Sequence, residues 1–82
     1  MRAATDTLIL VTGEDCHLCE HGRRVLAALE LDAREAAVGS GEAGALAARG
    51  IPLGFLPVLT DGTRLIAYGR FSEKRLRREL GL

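Results

Sequence analysis

Aromatic side chains are scarce: tryptophan is absent, and one tyrosine and two phenylalanines make up 4% of the 82 residues. Hydrophobic content is nevertheless 48%, so the core has to be built mostly from Leu, Val, Ile and Ala. Net charge is lacking as well. Eleven basic and eleven acidic residues cancel, which leaves no bulk field to draw the chain to nucleic acid or to a membrane surface. No apolar run approaches the roughly 20 residues of a spanning helix. The N-terminal stretch Met1, Arg2, Ala3, Ala4, Thr5, Asp6 has no apolar segment of the secretory kind. Internal repeats and linkers are missing too, and the length suits one small domain over residues 1–82. The expectation is a cytoplasmic monomer with no nucleic-acid or membrane partner.

Cysteine is rare, with two residues, and both fall in one short motif, Cys16-His17-Leu18-Cys19. In a reducing compartment such a pair is more often catalytic or metal-bound than structural. The motif follows an apolar run, Leu8-Ile9-Leu10-Val11, and a polar loop, Thr12-Gly13-Glu14-Asp15. It opens a stretch with helical spacing of apolar positions. A strand that delivers C-x-x-C to a helix N-terminus is a layout for thiol–disulfide chemistry. Free backbone N–H groups and the helix dipole both favour a thiolate at Cys16. Cys19, one turn on, lies on the same side and can close a disulfide with it. A purely structural bridge would usually span a longer loop, because a short one stabilises little.

Along the chain, residues 8–11 read as a strand buried on both faces. A helix is predicted over 16–29, with Leu18, Gly22, Val25, Leu26 and Leu29 as its buried stripe and Glu20, Arg23, Arg24 and Ala28 solvated. A weaker strand over 31–38, interrupted by charges, suits a sheet edge. Ser40 or Gly41 begins a short Ala-rich helix over 42–49, stopped by Gly50. Pro57 stands at the start of a strand. Asp61-Gly62 signals a two-residue hairpin turn between 58–60 and 63–68. Gly69 breaks the second hairpin strand. Ser72 is a good N-cap for a last helix carrying Leu76 and Leu80, with Phe71 packed at its start. The order is β-α-β-α-β-β-α. Helical crossovers imply parallel strands and the hairpin an antiparallel pair, giving an α/β chain with a mixed four-stranded sheet flanked by helices.

A strand, then Cys16-His17-Leu18-Cys19 opening a helix, then Leu56-Pro57-Val58 opening a hairpin strand, then Tyr68-Gly69 before a closing helix together resemble the glutaredoxin family of the thioredoxin-like fold, in its minimal form. The likeness covers nearly the whole chain. It implies a dithiol–disulfide oxidoreductase with Cys16 as nucleophile, Cys19 as resolving cysteine and Pro57 as a cis-proline facing the pair. Leu56 would offer its backbone to an extended substrate, and His17 and Gly69 would border the substrate site. Substrates would be protein or low-molecular-weight disulfides. No tightly bound cofactor is implied, with glutathione as the co-substrate. The loop before Cys16 holds no Lys or Arg, and Arg70-Phe71-Ser72 follow Gly69 where the family often has a second Gly and an Asp. Tyr68-Gly69-Arg70-Phe71-Ser72 is similar to redoxins that take electrons from a thioredoxin reductase and serve ribonucleotide reductase. A thioredoxin-reductase-like reductant therefore stands beside glutathione as electron donor.

Two other classes fit some of the residues. Cys16, His17, Cys19 and His21 cluster within six positions and are suited to Zn or Cu, or to an Fe–S cluster shared between subunits. On a regular helix, however, His17, adjacent to Cys16, and His21, two positions after Cys19, project to different sides from those cysteines. Alternatively, Arg75, Arg77 and Arg78 of the last helix would contact an acidic partner, unless they form an ordinary solvated face.

Overall fold

In the computed structural model, residues 8–82 are described. The N-terminal stretch read for the absence of a leader lies outside them. The apolar run sets the architecture. Strand β1 (Ile9–Thr12) is buried at every position. Successive strand side chains point to opposite faces. Leu10 accordingly joins one core cluster, with Leu8 just before the strand, while Ile9 and Val11 join another. A strand covered on both sides needs helices on both sides.

Those helices follow. α1 (His17–Ala28) turns Gly22, Val25 and Leu26 inward, together with Cys19. α2 (Gly41–Ala48) buries Ala43 and Leu46, and its N-cap Ser40 accepts the Ala43 N–H at 3.2 Å. α3 (Glu73–Leu80) is capped by Ser72, which accepts the Arg75 N–H at 3.1 Å. α1 and α3 share the cluster of Leu10, Leu26, Leu59, Phe71 and Leu76 on one face of the sheet. α2 closes the other face with Ile51 and Val58. The remaining strands are β2 (Arg34–Ala37), β3 (Val58–Thr60) and β4 (Leu65–Tyr68). The chain is thus α/β with a mixed four-stranded sheet, in the expected element order. No helix among the described residues is long and apolar enough to cross a membrane.

Strand order is β2-β1-β3-β4. β2 lies at the edge, as its charges suggested, but covers only 34–37 of the expected 31–38. Its outer positions are held by ion pairs from Arg23 to Glu35, at 2.7 Å, and from Arg34 to Glu42. β1 and β2 are parallel. β3 is antiparallel to β1, which corrects the reading that both helical crossovers return parallel strands. The reason is positional. Ala37, at the end of β2, pairs with Thr12, and Val58, at the start of β3, pairs with Val11. The chain therefore leaves and rejoins the sheet at one end, and α2 need not carry it back along the sheet.

The hairpin also differs from expectation. Asp61 and Gly62 do not make a two-residue turn; the loop takes in 61–64, and a bulge lies at Leu59/Thr60. Asp61 Oδ1 accepts the N–H groups of Thr63 and Arg64 at 2.9 and 3.0 Å, and the Thr63 hydroxyl at 2.8 Å. That Asx-type capture draws Thr63 and Arg64 out of the strand.

Candidate redox site

β1 ends at Thr12, β3 begins at Val58, and β4 ends at Tyr68 opposite Val58. The segments carrying the predicted site residues therefore converge on one end of the sheet. Gly13 is so close to Leu56 that a Cβ at position 13 would lie 2.9 Å from Leu56 Cδ1. Asp15 then adopts φ +51, in the left-handed region that Asp tolerates better than most residues, and directs the chain into α1.

Cys16 is the N-cap of α1, with extended φ and ψ. Its Sγ accepts the Cys19 N–H at 3.1 Å, and its carbonyl accepts the N–H groups of Cys19 and Glu20. The sulfur thus sits where a helix presents donors that lack intrahelical partners. Cys16 is partly exposed, whereas Cys19 is fully buried. Their sulfurs lie at bonding distance, with Cα atoms 5.1 Å apart. Cys19 takes the place in the buried stripe expected for Leu18, which is only partly covered.

The Leu56–Pro57 peptide is cis. Pro57 packs against α1 one turn beyond Cys19: a Cβ on Gly22 would meet Pro57 Cγ at 3.2 Å and Phe71 Cζ at 3.0 Å. Gly69, at φ +67, donates its N–H to the Pro57 carbonyl at 2.9 Å. Of the predicted site residues, Cys16, Cys19, Leu56, Pro57 and Gly69 belong to this end of the sheet. His17 is exposed beside Cys16. Glu14, Asp15 and Glu20 are also exposed around the motif, so carboxylates oppose a sulfur anion that the helix start favours.

His21, four positions further along α1, is half-buried. Its Nε2 lies 2.9 Å from the Phe71 carbonyl. A carbonyl only accepts, so Nε2 carries the hydrogen. This tie from α1 to the segment before α3 was not read from the sequence. Gly22 is buried in the helix stripe as read, but its close approach to Pro57 and Phe71 was not read, although a glycine inside a helical pattern signals one. Phe55 and Tyr68 are exposed and stack at a centroid distance of 6.0 Å near the cis peptide; nothing in their spacing announced it. Among the described residues, no group of three or more His, Cys, Asp or Glu side chains is gathered to hold a metal ion.

Compared with protein-family models, curated proteins and solved structures, the chain matches none of them.

Proposed function

We propose that this chain is a dithiol–disulfide oxidoreductase with a glutaredoxin-type version of the thioredoxin-like fold. One observation carries the reading: the asymmetry of the cysteine pair at the start of α1. Cys16 is partly exposed and accepts a helix-start N–H, while Cys19 is fully buried within reach of it. The partly exposed cysteine suits attack on an outside disulfide. The buried sulfur suits attack on its neighbour only.

In the reduced state the Cys16 thiolate attacks one sulfur of a substrate disulfide. A mixed disulfide forms, and the other half leaves as a thiolate that takes up a proton. The Cys19 sulfur, losing its proton, attacks the Cys16 sulfur. The Cys16–Cys19 disulfide closes, and the second half of the substrate leaves as a thiol. Two electrons and two protons have passed to the substrate. An external thiol or reductase returns them. Pro57 has no N–H, and with Leu56 it forms the wall against which an extended substrate would lie. Protein or small disulfides are the substrate class in this reading. Glutathione or a thioredoxin-reductase-like protein is the donor, and a reducing compartment such as the cytoplasm is the setting.

The test is trapping with mass spectrometry. Reduced wild-type chain should turn over a model disulfide in dithiothreitol. Cys16→Ser should abolish turnover, and Cys19→Ser should accumulate a mixed disulfide at Cys16. A Cys19→Ser chain that attacks no disulfide refutes the assignment. Repeating the series with and without glutathione identifies the donor.

A further inference from the structure

The segment after β4 and the exposed side of α3 enclose a groove of about 460 Å³. Arg70, Lys74, Arg75 and Arg78 line it, with Tyr68 and Ser72. We propose that this groove docks an acidic segment of the protein whose disulfide the cysteine pair exchanges; the proposal rests on the redox reading above.

Charge is the first support. Residues 70–78 hold five cations and one acid, Glu73, in a chain whose formal net charge is zero. Arg75 reaches Glu79 at 3.6 Å. Among the described residues, Arg70, Lys74 and Arg78 form no ion pair. Lys74 and Arg78 are also one turn apart on α3, an arrangement that repels. Like charges crowded without an internal counterion are relieved by an anion from outside.

Position is the second support. Tyr68 is shared between the groove and the aromatic pair beside the cis peptide. Gly69 is bonded to Pro57, and Phe71 to His21. His21 lies five residues along α1 from Cys16, or about 7.5 Å of helix rise. An extended chain covers roughly 3.3 Å per residue. A substrate cysteine at Cys16 can therefore carry acidic residues into the groove from a few positions away. The exposed carboxylates of Glu14, Asp15 and Glu20 surround the other side of the motif. They would repel a continuous phosphate backbone laid across both regions. A peptide whose acids are confined to one stretch meets no such conflict.

The experiment uses the reduced full chain and two disulfide-linked peptides that differ only in flanking Asp/Glu or Asn/Gln. At low salt the acidic peptide should be reduced about tenfold faster. The advantage should vanish at high salt and in the Arg70→Glu/Lys74→Glu/Arg78→Glu variant, while hydroxyethyl disulfide is reduced equally by variant and wild type. The Gln triple variant serves the same purpose if the Glu variant does not fold. Equal rates for the two peptides overturn the docking proposal and leave the redox reading intact. Failure to reduce even hydroxyethyl disulfide overturns the redox reading instead. Docking is then decided by titrating the disulfide-free acidic peptide into the Cys16→Ser/Cys19→Ser chain, where binding lost in the triple variant supports it and absence of binding overturns it. A single-stranded oligonucleotide of equal charge that binds as tightly as the acidic peptide overturns the choice of partner.

Discussion

Two glycines inside helices have opposite roles, and only their surroundings tell them apart. A Cβ on Gly44 in α2 meets nothing within 4 Å, whereas one on Gly22 in α1 presses on Pro57 and Phe71. Replacing a helical Gly by Ala gains up to about 1 kcal/mol from backbone entropy. Forcing a methyl into packed surroundings costs about 1–3 kcal/mol. At Gly44 only the gain applies, so Gly44→Ala should stabilise by about 0.5–1 kcal/mol. At Gly22 the cost wins, because Pro57 is rigid and Phe71 is 3% exposed. Gly22→Ala should destabilise by about 1 kcal/mol, and denaturant unfolding of the two variants checks both signs. The same substitution presses on Pro57, so under the proposed redox function disulfide exchange should slow, while Gly44→Ala leaves it unchanged.

Among the elements, the β3–β4 hairpin carries a pH dependence. Burial raises the Asp61 carboxyl, but hydrogen bonds from the Thr63 N–H and hydroxyl and the Arg64 N–H, with the Arg64 charge, outweigh it and hold the group below its usual 3.8. A carboxyl lowered by folding lends stability above its unfolded value and loses it as pH falls through the folded one. The hairpin should therefore weaken below about pH 3.8. Asp61→Asn should flatten that part of the acid limb in thermal melts taken across the range.

The same loop shows what the sequence could tell. Asp-Gly between apolar runs announced a hairpin. Its side-chain bonds to Thr63 and Arg64, which lengthen the loop, depend on a geometry that the residue letters do not carry. The helices were legible because their apolar spacing and their starts and stops agree: Ser72 is the N-cap it was read as, Ser40 rather than Gly41 caps α2, and Cys16, read as the first helical residue, caps α1. β2 was only half legible, since Asp32, Arg34 and Glu35 interrupt its pattern at the edge. The direction of β3 was not legible at all, because an eight-residue α2 does not say at which end of the sheet the chain returns. At the site, Cys16, Cys19 and Pro57 stood out by type and order. The contacts of His21, Gly22 and Tyr68 are tertiary and had no local signal beyond the glycine itself.

Taken whole, the molecule rests on small aliphatic side chains around one central strand. Leu10 of β1 is 1% exposed and pairs across to both β2 and β3. Leu-to-Ala changes in such cores cost about 2–5 kcal/mol. A domain of this size commands about 4–12 kcal/mol in all. Leu10→Ala should therefore remove a large share of the total, lowering the denaturant midpoint with the slope unchanged. A changed slope would mean that the unfolded or native ensemble had altered its compactness instead.

The charged rim of β2 has a meaning beyond the single molecule. A border strand leaves a row of amide and carbonyl groups open to any other chain that can lie alongside. Here that border carries Arg34 and Glu35, each engaged by a helix of the same chain. Charged side chains along such a border disfavour pairing with another strand. Ion pairs that add little to the fold's own stability thus hold charges along this border, which makes it a poor template for a fifth strand.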